Sequence, residues 1–160
     1  MPESNRNLPE NLYTAEQVRE FDRIAIEDHS IPGYSLMQRA ARFSYEVLKQ
    51  HWSDANTIAV VCGAGNNAGD GYVLAKLAID DGKQVSVINM FNPDNLKGDA
   101  ATAYQDLLAT KIKPVEFSAS VFDGVDIIVD ALFGTGLDRD IEGQCCDLIK
   151  LINASECSTI

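Results

Sequence analysis

Thr57-Ile58-Ala59-Val60-Val61-Cys62, followed at once by Gly63-Ala64-Gly65-Asn66-Asn67-Ala68-Gly69-Asp70-Gly71, decides the fold. The first six residues form a short, continuous apolar run, the pattern of a strand buried on both faces in a parallel sheet. The glycine-rich segment reads as a loop over Gly63–Gly71, and Tyr72 to Asp81 reads as a helix stopped by Gly82. Working outward, Gln84–Met90 is a second strand, Asp99–Thr110 a helix, and Lys113–Phe117 a weak third strand. Val125-Asp126-Ile127-Ile128-Val129-Asp130 is a fourth strand, with a loop from Ala131 to Gly143 behind it. A helix near Gln144–Ile152 precedes Cys157–Ile160, the start of another strand. This alternation predicts an α/β fold, a Rossmann-like three-layer α/β/α sandwich with a mostly parallel sheet. In strand order 3-2-1-4, the first and fourth strands are neighbours where the winding reverses, and ligands bind beyond their carboxyl ends. The loops after those two strands, Gly63–Gly71 and Ala131–Gly143, are also the most glycine-rich segments of the chain.

Upstream, residues 1–12 read as a flexible polar arm and 13–160 as one domain. Thr14 with Gln17 forms a T-x-x-Q capping box, and Val18, Phe21 and Ala25 follow at helical spacing to a stop near His29. Ser35 with Gln38 repeats the signal for a second helix, with Leu36, Ala40, Phe43 and Val47 on one side. Both helices precede any strand, so they are expected beside the core rather than in it. The 160 residues are 46% hydrophobic and 23% charged, ordinary for one globular domain. Thirteen Lys and Arg against 24 Asp and Glu leave a net charge of −11, which disfavours nucleic acid and anionic membrane surfaces as partners. No apolar run is long enough for a transmembrane helix and Met1–Leu12 lacks a signal-peptide core, so the expected location is cytoplasmic. Cys62, Cys145, Cys146 and Cys157 lack zinc-site spacing and read as structural.

The first loop offers positive-φ glycines and the N–H groups of a following helix, which suit an anionic or strongly polar ligand. Gly63-x-Gly65-x-x-Ala68 fits the dinucleotide fingerprint weakly. The second strand ends in Asn89-Met90, with no acid for a ribose hydroxyl, and Asp70 puts a carboxylate where a pyrophosphate wants donors. Asp70 reads equally as a helix cap. Asp130 ends an apolar strand at the crevice mouth, with low-dielectric walls on one side, as an acid/base or cation ligand. The bland alternative is a carboxylate bonded to its own loop. Arg139 could meet a phosphate, although a solvated surface position suits it too. Asn67 and Asp130 together could offer oxygen ligands to one hard, monovalent cation.

G-x-G-N-N-x-G-D-G after the first strand and D-A-L-F-G-T-G-L after the fourth closely resemble the NAD(P)H-hydrate epimerase family, the YjeF N-terminal domain. Leu12–Arg19, Ile31-Pro32-Gly33 and Leu36–Ala40 resemble its opening. The resemblance implies an isomerase, often a homodimer, that interconverts the R and S epimers of hydrated NADH and NADPH. By similarity, Asn66, Asn67, Ala68, Gly69 and Asp70 would contact that substrate. So would Gly134, Thr135, Gly136, Leu137, Asp138, Arg139 and Asp140. Asn67 and Asp130 would help bind a potassium ion, Asp130 is the first candidate for the acid/base, and Asp70 is the second. Ala68, Gln38 and Ala41 depart from the family's commoner residues. The family continues into a fifth strand ending in D-x-P-S-G, whereas this sequence stops at Ile160, so a truncated piece is expected. An ADP-dependent dehydratase, fused or separate, is the implied functional partner.

Overall fold

In β1 (Thr57–Cys62) every side chain after Thr57 is buried, as the continuous apolar run requires. The computed structural model describes residues 12–137 and 140–160, so most of the expected N-terminal arm, and Asp138 and Arg139, lie outside the described residues. The chain divides into two compact units, Met1–Pro32 and Gly33–Ile160.

The first unit holds α1 (Ala15–Glu27), opened by the expected capping box. The Thr14 N–H donates to Gln17 Oε1 at 2.9 Å, and the Gln17 N–H donates to Thr14 Oγ1 at 3.2 Å. Asp28 caps its carboxyl end, one turn before Pro32.

The second unit is built on a four-stranded parallel sheet in the order β2-β1-β3-β4, with β2 (Gln84–Asn89), β3 (Ile127–Ala131) and β4 (Ser158–Thr159). The expected third strand survives only as one parallel bridge, Val115 to Ile88, outside β2. Pro114 beside it has no N–H to give a ladder, which stops the pairing from spreading. The winding reversal beside β1 is therefore as expected. Register at the other end of the sheet is pinned by Asp126, whose carboxylate accepts the N–H groups of Asn56 and Thr57, each at 2.8 Å. These bonds hold the carboxyl below its ordinary pKa, because they favour the charged form.

Two cores flank the sheet. Ile58, Val60, Cys62, Ile127 and Val129 face α2 (Gly33–His51), α3 (Asn66–Asp80) and α4 (Gly98–Leu108). Ala59, Val61 and Ile128 face α5 (Gln144–Ala154) and Phe122. The second helix thus belongs to the core, contrary to expectation. Its buried face is Met37, Ala41, Tyr45 and Leu48, offset from the Leu36-Ala40-Phe43-Val47 stripe, of which Phe43 is half exposed. It also begins at Gly33, so Ser35 lies inside the first turn rather than capping it.

The third helix departs most from its sequence reading. It begins at Asn66, six residues before Tyr72, so the loop after β1 is only Gly63-Ala64-Gly65. Gly69 and Gly71 are helical, and packing rather than backbone freedom explains them. A Cβ on Gly69 would lie 2.7 Å from the thioether of Met37 and 3.0 Å from Ala100 Cα. One on Gly71 would lie 2.6 Å from Ala131 Cβ and 3.2 Å from Cys62 Sγ. These glycines let α3 settle against α2, α4 and the ends of β1 and β3.

Two substitutions test this packing. Gly71→Ala should destabilise by about 1–3 kcal/mol through overpacking, even though alanine favours an open helix by about 1 kcal/mol. A rise in stability on urea unfolding would contradict the close fit. Gly63→Ala should cost more than Gly71→Ala in the same experiment, because its Cβ would run into the backbone carbonyl of Leu132. Equal or smaller loss there would show that the two loops do not meet.

Candidate functional site

Register decides which residues meet. Pairing β1 directly with β3 sets Val61 beside Asp130 and Cys62 beside Ala131, so both chains leave the sheet at one place. The Gly63 N–H donates to the Ala131 carbonyl at 3.1 Å, and Gly63 lies against the Leu132 backbone. One residue pair farther out, a Cβ on Gly134 would stand 3.3 Å from Asn67 Cβ. The two glycine-rich segments are therefore in contact, although some 60 residues separate them along the chain (Asp130 minus Asp70).

Beneath this contact is a cleft of about 130 Å³. Asn67, Asp70, Gly71 and Leu74 of α3 form one wall, and Val129, Asp130 and Ala131 of β3 another. Ala41 and Ser44 of α2, with Ile160, close it. Four of the five apolar lining residues, Ala41, Leu74, Val129 and Ala131, are buried, so the polar groups stand on a rigid base. Its volume is close to that of an engineered cavity of about 150 Å³ that accepts benzene, which is the scale of a single six-membered ring.

Asn67, Asp70 and Asp130 thus converge on one space. Asp70 sits in the second turn of α3, after an N-cap at Gly65, so capping is not its role. Asp130 lies one residue short of the end of β3 and is solvent-exposed, not desolvated as its apolar strand suggested. The loop bond is present: the Leu132 N–H donates to Asp130 Oδ1 at 3.0 Å. That bond fixes the carboxylate and leaves Oδ2 as its second acceptor, so the bland and the functional readings of Asp130 are compatible.

The remaining expected residues are distributed unevenly. Asn66 is exposed at the start of α3. Ala68 is fully buried and Gly69 faces Met37 and Ala100, so neither lines the cleft, because α3 had already begun before them. Gly134, Thr135, Gly136 and Leu137 are exposed at the same edge of the sheet, and Leu137 with Asp140 borders a separate cleft. Ala41 and Ser44 were missed. Their signal was the i, i+3 pair of small residues on the true inner face of α2, which the one-residue offset of that face concealed.

The donor chemistry fits a hard monovalent cation better than a transition metal. Among the described residues, no three His, Cys, Asp or Glu side chains gather as a metal cluster. Asn67 and Asp130 instead offer an amide oxygen and a carboxylate to the same cleft. Cys62, fully buried at the end of β1, has its thiol pushed far up by desolvation and is no nucleophile. The ribose-acid position of an ordinary dinucleotide site is filled otherwise: Asn89 Oδ1 accepts a 2.9 Å bond from the buried Tyr72 hydroxyl.

Residues 33–160 match the family model described as YjeF-related protein N-terminus. The chain is 39% identical over 142 residues to a protein of Coxiella burnetii named bifunctional NAD(P)H-hydrate repair enzyme Nnr, covering 89% of this chain but 29% of that one. It is 33% identical over 153 residues to the NAD(P)H-hydrate epimerase of Limosilactobacillus fermentum, covering 96% of this chain and 73% of the relative. A third relative, the NAD(P)H-hydrate epimerase of Rhodopirellula baltica, is 33% identical, and the chain spans 59% of its length. The crystal structure of yeast ynu0 superposes with a TM-score of 0.80 at 15% identity, over 94% of this chain and 69% of that one, which shows the shared fold. With the family model matched over residues 33–160, most of its length, the chain belongs to the YjeF-related N-terminal family.

Proposed function

We propose that this chain carries the activity for which its epimerase relatives are named, interconversion of the two epimers of hydrated NADH and NADPH. The observation that carries the reading is the convergence of Asn67, Asp70 and Asp130 on one ring-sized cleft. The hydrated nicotinamide ring bears its hydroxyl on C6, beside the ring nitrogen. A proton delivered to that hydroxyl lets the C6–O bond break as water leaves, while the nitrogen lone pair forms a C=N⁺ bond. Water then adds to C6 from the opposite face, and the proton returns to the carboxylate that gave it. Atoms and charge balance, and no redox step is involved.

Such chemistry asks for one positioned proton carrier and a negative environment for the transient cation. Asp130 is the proposed carrier, held by the Leu132 N–H, and Asp70 supplies the second carboxylate across the cleft. Asn67 orients the ring through its amide. A potassium ion held by Asn67 and Asp130 would fix the positions of these two side chains on either side of the cleft. The same proposal includes a cytoplasmic homodimer. Its cytoplasmic part is supported by four free cysteines, which suit a reducing compartment.

The test gives the protein an R/S mixture of hydrated NADH together with an S-specific dehydratase. An epimerase lets the whole pool be consumed, whereas a binding module leaves the R half to decay spontaneously. Asp130→Asn should slow consumption of the R half by about 10²–10⁴-fold. An unchanged rate would remove Asp130 from the chemistry. Replacing potassium by tetramethylammonium in the same assay should lower the rate, and indifference to the cation would remove the ion from the proposal.

A further inference from the structure

A ring-sized cleft leaves the greater part of a dinucleotide unhoused, and a second cleft opens at the same edge of the sheet. It measures about 220 Å³ and is walled by Phe91, Phe133, Leu137 and Ile141, with the carboxylates of Asp140 and Glu142 beside them. We propose that this cleft seats the purine base of the dinucleotide, an inference that rests on the substrate class proposed above.

Topology makes the two clefts consecutive. Phe91 lies two residues past β2 and Phe133 two residues past β3, so they stand on either side of the end of β1, which separates those strands. Phe133 borders the second cleft while the adjacent Gly134 lies against Asn67 of the first. A ligand following this loop passes from one space to the other. The second cleft opens on the α5 side, where Phe91, Phe133 and Ile141 pack against the core cluster that includes Ile88, Leu132 and Cys145. Both phenylalanines are half-buried, with aromatic surface left for a flat π-system.

Charge selects the base over other parts of the ligand. Asp140 and Glu142 are exposed acceptors that suit the exocyclic amino group of adenine and would repel a phosphate. The pyrophosphate belongs instead along the exposed Gly134-Thr135-Gly136 segment, which carries no carboxylate of its own.

The experiment compares hydrated NADH with the hydrated reduced nicotinamide mononucleotide, which lacks the adenosine half, in wild type, Phe91→Leu and Phe133→Leu. Leucine keeps the apolar packing and removes the stacking face. Stacking of a base on an aromatic side chain predicts a fall of about five- to a hundredfold in kcat/KM for the dinucleotide, carried by KM. The mononucleotide should be processed equally by all three proteins. An equal loss on both substrates, or none on either, overturns the base site. Calorimetry with AMP separates this inference from the activity itself. AMP binding that weakens in both leucine variants supports the cleft even if no epimerisation is seen, in which case only the proposed function fails. Absence of AMP binding to the wild type overturns the cleft while leaving epimerisation to be judged by the coupled assay.

Discussion

Direct parallel pairing of β1 with β3 is the constraint on which the molecule's chemistry depends. It brings Cys62 level with Ala131 and so forces two chain segments to leave the sheet side by side. Everything at the site follows from that exit. Gly63 gives up a side chain so that the backbones can touch, Gly71 gives one up so that α3 can press on Ala131, and Asn67 ends beneath Gly134. At Gly63, Gly69 and Gly71 a methyl group would collide with a neighbour, whereas at Gly65 it would meet open space. The glycine-rich string is thus mainly a packing device, and the polar groups it carries are placed by that packing.

The rigidity of this arrangement has a chemical consequence. Buried Leu74, Val129 and Ala131 fix the floor of the cleft, while Asp130 is exposed at its rim and tied by one N–H. A carboxylate so held loses little freedom when it meets a ligand, which is the advantage of preorganisation in proton transfer and ion binding. The overall charge of −11 works against an anionic dinucleotide at long range. Affinity must therefore come from short-range contacts: backbone amides for phosphates, aromatic faces for a base and a matched cleft for the ring.

Much of this was legible in the sequence, and what was hidden had specific causes. The run Thr57–Cys62 showed a doubly buried strand because both faces need apolar side chains, and its neighbour at Ile127–Ala131 was visible for the same reason. Spacing of the two glycine-rich strings after those strands was enough to bring Asn67, Asp70 and Asp130 together. Misjudged was the start of α3, because glycine at 69 and 71 reads locally as loop when its reason lies in Met37, Ala100 and Ala131, far away in the chain. The inner face of α2 was shifted by one residue because Phe43 and Val47 are as apolar as Met37 and Leu48. Only the surface that meets α3 distinguishes the two stripes. The place of Ser44 and Ala41 in the cleft was hidden with it. The second aromatic cleft could not be read at all, since Phe91 and Phe133 are joined only by strand order.

The central claim is that Asn67 and Asp130 act on one guest across one cleft. A double-mutant cycle on kcat/KM for hydrated NADH, with Asn67→Ala, Asp130→Asn and both together, measures it directly. Strong non-additivity is expected, with a coupling above about 0.5 kcal/mol and the double variant little worse than Asp130→Asn alone. Full additivity, with each substitution costing the same whether or not the other is present, would contradict it.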